Sequence, residues 1–235
     1  VVDCGRGIRF FDHTGRWGPP YCLNPGSGRA TLINCIFWDC SHPILLTDSP
    51  WEGDRGSHVV VEYCDIFGGR DAVSVSANST LTWGQGNINL DPLFADAANG
   101  DFHLKSLYGR WDPSQNRWVV DTSMSPCIDA GTDYLVDDPN YGYAGLVDSG
   151  PELWPHGGLV NMGAYGATPQ ASMSALDVGN KADVNKDGRV DFEDLAEIGG
   201  LWRIREVLLR QDLNRDGSVD HLDAAELAGN WLWRQ

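Results

Sequence analysis

The residues with the clearest chemistry lie near the end of the 235-residue chain, in the stretch DVNKDGRVDFED at 183–194. Carboxylate or amide side chains occupy most alternate positions of this stretch, and a glycine stands at its sixth position. Calcium takes roughly six to eight oxygen ligands, which a twelve-residue loop supplies from positions 1, 3, 5, 7, 9 and 12. The stretch therefore predicts a calcium-binding loop, which we call the first loop.

A near copy, DLNRDGSVDHLD at 212–223, forms the second loop 29 residues further on. Gly188 and Gly217 stand at position 6, where the loop turns sharply and a Cβ would be costly. Position 12 is Asp in both loops, where Glu is usual, so a shorter side chain must reach the ion. One Asx-rich turn without metal is common, whereas two such loops favour two calcium ions. The predicted ligands are Asp183, Asn185, Asp187, the carbonyl of Arg189, Asp191 and Asp194, and then Asp212, Asn214, Asp216, the carbonyl of Ser218, Asp220 and Asp223.

Each loop is followed by apolar residues at helical spacing, which predicts a short helix behind each loop. These residues are Leu195, Ile198, Leu201 and Trp202 in the first copy, and Ala224, Leu227, Ala228 and Trp231 in the second. Clustered carboxylates repel one another without a cation, and a module this small has little core to oppose that repulsion. We therefore expect the two copies, called the twin-loop module (183–235), to depend on calcium.

The paired loop–helix copies over 181–233 resemble a type I dockerin. The resemblance implies a small all-α module that folds around two calcium ions and binds a cohesin module on a partner protein. It also implies that loop positions 10 and 11 contact that partner; here they are Phe192, Glu193, His221 and Leu222. Cellulosomal dockerins usually carry small hydroxyl residues there, so this chain departs from their pattern. The alternative is that Phe192 and Leu222 are partly buried residues at the helix starts.

Upstream of the module, short β-rich runs recur with a period near 30 residues. Cys4, Cys35 and Cys64 lie 31 and then 29 residues apart, each within such a run. This pattern predicts a parallel β-solenoid in which equivalent residues of successive coils stack as ladders. We expect these three cysteines to form a ladder of buried, reduced thiols, because in-register parallel strands hold their Cβ atoms slightly too far apart for disulfides.

Three later motifs, in a fixed order, close the repetitive region: GNINLDPLFADAANGDFHLKS, SPCIDAG and VNMGAYGATPQAS. Together they resemble the closing segment of secreted right-handed parallel β-helix repeat proteins. The resemblance implies a mainly β fold whose last coils are capped, so that strand edges and apolar core are covered. We thus expect β-helix coils at 1–94, a closing segment at 95–172, a linker at 173–182 and the all-α twin-loop module at 183–235.

Composition narrows the possible partners and location. The net charge of −16 argues against nucleic acid and disfavours an anionic membrane surface. No apolar run approaches the roughly 18 residues of a membrane span. The acidic composition and both resemblances favour a secreted, extracellular or cell-surface protein. Because the sequence opens on VVDCGRGIRFF, which looks like strand interior, we interpret it as the C-terminal part of a longer protein.

Three functions stay open for the β-rich region. It is a stalk or binding surface attached to a partner through the module, or it belongs to a polysaccharide lyase or glycosidase whose catalytic coils lie mostly upstream. It could also build filaments by stacking coils end to end at Val1–Phe11. Candidate catalytic side chains within this region form no recognisable motif, although Asp65 could stand near Asp39 on adjacent coils. These candidates are Asp39, His58, Asp65, Arg70 and Asp71.

Overall fold

The computed structural model describes residues 2–4, 7–11, 29–47, 56–133, 152–176 and 178–235. These residues are mainly β and contain two α-helices, so the prediction of a mainly β chain is confirmed. The chain divides into two compact units. Unit 1 comprises Val1–Pro92 and Ala130–Thr132, and unit 2 comprises Leu93–Asp129 and Asp133–Gln235.

The described residues of unit 1 form nine short strands that pair in parallel, with every third strand returning to the same sheet. The strands are β1 (Val2–Cys4), β2 (Ile8–Phe11), β3 (Arg29–Ile33), β4 (Ile36–Cys40), β5 (Ile44–Thr47), β6 (His58–Glu62), β7 (Asp65–Ile66), β8 (Ser74–Val75) and β9 (Thr80–Trp83). They form three sheets of three strands, in the orders β1-β4-β7, β2-β5-β8 and β3-β6-β9. Each pass of the chain therefore adds one strand to each sheet.

The core of unit 1 follows from side-chain alternation along these strands. Val59 and Val61 of β6 are fully buried, whereas Val60 between them is half-buried, because successive side chains of a strand point to opposite faces. In-register pairing stacks Val59 on Leu81 and Val61 on Trp83. The buried cluster formed in this way consists of Phe37, Ile44, Leu46, Val59, Val61, Cys64, Ile66 and Val73.

The predicted cysteine ladder is correct for two of its three members and wrong for Cys4. Ile36 pairs with Asp65, which places the preceding Cys35 beside Cys64, and both are free thiols. Cys4 instead pairs with Cys40 in the β1–β4 register. The reason is an unequal coil length: the pairing steps by 36 positions from Cys4 to Cys40 but by only 29 from Ile36 to Asp65. Cys22 lies outside the described residues.

Unit 2 begins with two antiparallel pairs and continues into irregular but well-buried backbone. The pairs are β10 (Phe94–Asp96) with β11 (Asp101–Leu104), and β12 (Arg110–Asp112) with β13 (Arg117–Val119). His103 is buried against the ring of Tyr165, with its ring nitrogens near Asp101 Oδ1 and Gln170 Oε1. Asn161 joins two further stretches, because its side chain accepts from the N–H of Asp129 and donates to the Ser172 carbonyl.

The twin-loop module supplies both α-helices, α1 (Phe192–Gly200) and α2 (His221–Gly229). Its small core comprises Ala182, Val184, Val190, Ile198, Leu213, Val219 and Leu227. Met173 and Ser174, the first residues of the predicted linker, are buried as well. None of the helices in the described ranges has the length and apolar character needed to cross a lipid bilayer.

Candidate functional site

The first loop is wound around the side chain of its first residue. Asp183 accepts hydrogen bonds from the backbone N–H of Asp187 at 3.1 Å and of Gly188 at 2.9 Å. Asn185 Oδ1 also accepts from Asp187 N, and Asp187 Oδ1 accepts from Arg189 N. Gly188 has a φ of 82°, which a glycine adopts without strain. The carboxylate and amide side chains at positions 1, 3 and 5 therefore already hold the loop closed.

The last carboxylate of the first loop is fully buried. Asp194 accepts from the N–H groups of Val184 at 2.7 Å, Asn185 at 3.1 Å and Asp191 at 2.8 Å. Asp191 in turn accepts from Glu193 N, so the two aspartates form a reciprocal cap at the start of α1. Position 12 thus ties the beginning of the loop to the helix that follows it.

The second loop makes most of the same bonds at equivalent positions. Asp212 accepts from Asp216 N at 3.2 Å and Gly217 N at 2.8 Å, and the buried Asp223 accepts from Asn214 N and Asp220 N. Three further predicted ligands make the same bonds as their counterparts in the first loop. Asn214 accepts from Asp216 N, Asp216 from Ser218 N and Asp220 from Leu222 N. The 29-residue repeat in the sequence is therefore a repeat in structure.

Each half of the module is completed by the other half. Val190, at position 8 of the first loop, donates to Trp233 O and accepts from Leu232 N, which lie just after α2. Val219, at the same position of the second loop, donates to Ile204 O and accepts from Arg203 N, just after α1. The two partner segments are also 29 residues apart, so the halves are related by a pseudo-twofold exchange of backbone bonds.

The first residue of each loop is an aspartate whose pKa is raised. Partial burial raises the pKa of Asp183, and the neighbouring carboxylates of Asp194 and Asp187 raise it further, although the bond from Gly188 opposes this. In the second loop the same causes raise the pKa of Asp212, with Asp223 and Asp216 as its acidic neighbours. Like charges thus crowd the half-buried Asp183 and the buried Asp212, whose hydrogen-bond donors are backbone N–H groups.

The residue types and loop conformations fit calcium, but the side chains do not converge as a finished cage. Among the residues that the structure describes, no group of three or more His, Cys, Asp or Glu side chains stands in a metal-holding arrangement. The acidic oxygens instead accept the N–H groups of their own loops. Calcium binding at the twelve predicted ligand residues therefore stays a prediction, which rests on the chemistry of the donor set.

The four predicted partner residues lie on the surface. Phe192 is 75% exposed and Leu222 is 46% exposed, and Glu193 and His221 are exposed beside them. The structure thus excludes burial at the helix starts as the reason for these two apolar residues. The Phe192 ring packs edge-on against Trp231 with ring centres 4.9 Å apart.

Sequence reasoning does not place two apolar residues beside this surface. Trp231, predicted on the apolar side of α2, follows that helix, packs partly buried against the module core and also contacts Phe192. Leu232, the next residue, is largely exposed. The signal that could have found them is the 29-residue offset itself, because it aligns them with Trp202 and Arg203, which follow α1.

The catalytic candidates of unit 1 do not assemble into a site. Asp65 is fully buried and accepts from Leu90 N, whereas Asp39 is exposed. The register places Asp65 opposite Ile36, three positions from Asp39, so the suggested pairing of these two carboxylates is wrong. His58 lies 3.3 Å from the Thr82 hydroxyl through Nε2. Arg70 and Asp71 lie in an exposed 3₁₀ turn, Gly69–Ala72.

Comparison with known proteins gives one partial match. A family model described as disaggregatase related matches residues 71–131, which is 61 of the 235 positions. The matched range runs from the last strands of unit 1 through β10 to β13 of unit 2. Searches of curated proteins and of solved structures found no significant match. The match is too short to place the whole chain in that family.

Proposed function

We propose that this chain is an extracellular or cell-surface β-helix protein that attaches to a protein partner through a calcium-dependent, dockerin-like module. The observation that carries the proposal is the pair of loops with matching hydrogen bonds, each completed by the other half and each presenting exposed residues at positions 10 and 11. A repeated metal loop with an exposed apolar side chain beside it is an arrangement suited to metal-dependent protein binding.

Charge arithmetic supports two ions. Residues 179–235 contain 12 acidic and 8 basic residues, a net charge of −4. Two calcium ions would neutralise this charge and replace the repulsion within each loop by attraction. Asp194 and Asp223 would supply the oxygen at position 12 while keeping their capping role, because each is buried at the base of its loop. A small module with seven buried apolar residues gains most from such a cross-link.

The partner surface supports a protein ligand of the cohesin type. Phe192 and Leu222 expose apolar area that costs solubility unless a partner covers it. Glu193 and His221 surround them with polar groups, as at the rim of an interface. The departure from small hydroxyl residues means that the partner pocket would be apolar, which would separate this module from those of cellulosomes.

The β-rich region suits a protein that attaches to a partner, because its architecture is that of a rigid structure rather than of a catalyst. Its three parallel sheets share one continuous apolar core, and the candidate carboxylates of the described residues do not pair. We therefore assign it the part of a β-helical stalk or binding surface, with polysaccharide or a second copy of the chain as further candidate ligands. The proposed end contact at Val1–Phe11 falls partly outside the described residues.

Calorimetric titration with calcium, followed by a pull-down with a panel of cohesin modules, tests the proposal. We expect two calcium ions per chain and partner capture that a chelator abolishes. Phe192→Ser and Leu222→Ser should each weaken capture at least about tenfold, because exposed apolar residues at the centre of an interface carry much of its energy. Leu159→Ser is the matched control, since Leu159 is a similarly exposed leucine of unit 2 outside the module.

Two results would contradict the proposal. Absence of calcium binding would remove its basis, and capture that survives in chelator would show that attachment does not depend on the metal. Equal losses in Phe192→Ser and Leu159→Ser would show that the surface at positions 10 and 11 has no special part in binding.

The family match favours a second candidate function. The description disaggregatase related, over residues 71–131, would suit a protein that helps to disperse an aggregated extracellular material. A polysaccharide lyase or glycosidase with catalytic coils upstream is the enzymatic form of this candidate. Release of oligosaccharides from pectin, alginate or similar polymers, measured by reducing ends or by absorbance of unsaturated products, would establish it.

A further inference from the structure

The second loop carries a partly buried cation that is not a predicted metal ligand. Arg215 stands at position 4 of this loop, and its guanidinium contacts two residues outside the loop. Its Nη1 lies 2.6 Å from Met173 Sδ, and its Cζ lies 5.6 Å from the centre of the Trp118 ring. The loop thus contacts both the closing segment, through Trp118, and the buried residue that follows that segment.

Met173 and Trp118, which contact Arg215, are themselves held in place by hydrogen bonds and packing. Met173 is 1% exposed, donates to Gly109 O at 2.8 Å and accepts from the Ser106 hydroxyl at 2.6 Å. Trp118 packs edge-on against the buried Trp111 across the β12–β13 pair. A movement of Arg215 would therefore disturb the packing of Trp118 and the hydrogen bonds around Met173.

The same network extends to a charged pair. Ser106 N donates to Asp121 Oδ2 at 2.9 Å, and Arg110 Nε donates to the same oxygen at 3.0 Å. These bonds join β12 to the stretch that carries Met173, by way of Ser106. The surface under Arg215 is consequently a rigid support, unlike a mobile surface loop.

The Asp212 carboxylate of the same loop acts on the partly buried guanidinium of Arg215. Asp212 is the first predicted ligand of the same loop, so a bound cation would alter the field that Arg215 experiences. Contact with the Trp118 ring offers the guanidinium an alternative stabilisation.

We propose that Arg215 couples the second loop to the closing segment, so that calcium binding at this loop stabilises the closing segment and the twin-loop module as one cooperative unit. The inference rests on the calcium function proposed above. At the same position of the first loop stands Lys186, which is exposed and whose charge acts on Glu152 and His156. The second loop is thus the structural calcium site for the stretches that hold Met173 and Trp118.

Hydrogen exchange measured by mass spectrometry on the whole chain tests this coupling. On addition of calcium, we expect exchange to slow at least about tenfold both in the module and in the peptides that cover residues 102–121 and 168–176. Arg215→Met, which keeps the side-chain length and removes the charge, should leave the module protected by calcium and abolish the effect on those two stretches. Lys186→Met is the matched control and should keep both effects.

A second pair of variants assigns the effect to one loop. Asp187→Asn weakens the first loop and Asp216→Asn weakens the second, and both residues are exposed, so neither change should unfold the chain. Calcium should still protect residues 102–121 in Asp187→Asn, with no such protection in Asp216→Asn at the same calcium concentration.

The outcomes separate this inference from the proposed function. If calcium binds and protects the module while exchange at residues 102–121 stays unchanged in the wild type, the coupling is wrong and the calcium function stands. Equal behaviour of Arg215→Met and Lys186→Met would also overturn the coupling. If calorimetry detects no calcium binding, both proposals are overturned together.

Discussion

The two compact units of this chain are stabilised by different chemistry. Unit 1 buries a ladder of apolar side chains, and the described residues of its sheets meet through parallel backbone pairing. Unit 2 buries many ionisable groups, among them Glu152, Asp194, Asp212, Asp223 and His103. The stability of unit 1 should therefore respond mainly to side-chain volume, whereas that of unit 2 should respond to pH and to cations.

The difference follows from the lengths of the elements. Repeated strands place equivalent residues of distant sequence side by side, so a continuous apolar core arises without long helices or loops. The twin-loop module has two nine-residue helices and a small core, and it relies on carboxylates that accept backbone N–H groups. A short element gains order from such local bonds when apolar burial is limited.

The largest expected effect comes from shortening a buried apolar side chain in the core of unit 1. Ile44 is fully buried in β5, and Ile44→Ala should lower the free energy of unfolding of unit 1 by about 4 kcal/mol, because it removes methylene groups and leaves a cavity. Denaturant-dependent hydrogen exchange of the β5 and β6 peptides would measure this. Val75→Ala, at an exposed position in β8 of the same sheet, should cost less than about 1 kcal/mol. A dependence of either value on calcium would contradict the comparison.

The next largest effect comes from removing a buried carboxylate of unit 2. Asp223→Ala should lower the stability of the module by about 3 kcal/mol even in chelator, because it removes a helix cap and leaves buried N–H groups without acceptors. Asp216→Asn is the matched change at an exposed ligand position. It should leave the stability in chelator unchanged and reduce only the gain from calcium, as thermal unfolding with and without the metal would show.

A third effect concerns pH. Burial raises the pKa of Glu152 to about 7, so the folded chain keeps its proton where the unfolded chain has lost it. The stability that protonated Glu152 contributes is complete below about pH 4.5 and is lost as the pH rises through 7. Glu152→Gln retains an acceptor for the N–H groups of Asn161 and Ala167 and should stabilise unit 2 at pH 8 by up to about 3 kcal/mol. At pH 4, wild type and variant should unfold alike; a constant difference at all pH values would contradict this account.

The smallest effect concerns the titration of Cys35, a thiol packed against the core of unit 1. The hydrogen bond from the Cys64 thiol lowers the pKa of Cys35 to about 7, and that shared bond, followed by burial, raises the pKa of Cys64. Alkylation by iodoacetamide should therefore modify the half-buried Cys35 with a midpoint near pH 7 and spare Cys64, as peptide mass spectrometry would show. In Cys64→Ala the alkylation midpoint of Cys35 should move to higher pH. The hydrogen bond that lowers the pKa of Cys35 is then lost, whereas burial still raises it.

Sequence reasoning was strongest where the physical cause is local. The ligand spacing of both loops and the glycines at position 6 correspond to matching turns in the structure, because hydrogen bonds within twelve residues define the loop. The exposure of Phe192 could not be derived, because a residue at a helix start packs or stays free according to distant neighbours. Residue type alone gave two opposite interpretations there.

Predictions failed where they depended on register. The Cys4 position was wrong because seven extra positions between successive coils shift the pairing, and spacing between cysteines does not report where the extra residues lie. Asp65 was expected near Asp39 on an outward face, yet its side chain is buried. Arg215 received no role from its sequence position, since its contacts with Met173 and Trp118 join residues 42 and 97 positions away.

The exchange of backbone bonds between the two halves of the module also sets an order for its assembly. Val190 obtains its partners only from Leu232 and Trp233, the fourth and third residues from the end of the described chain. Leu232, the first residue of the completing segment, lies 38 positions after Asp194, the last residue of the first loop. During synthesis the whole first loop is therefore made well before the segment that completes it. Cleavage before Leu232 would therefore remove both bonds of Val190, and with them the segment that completes the first loop.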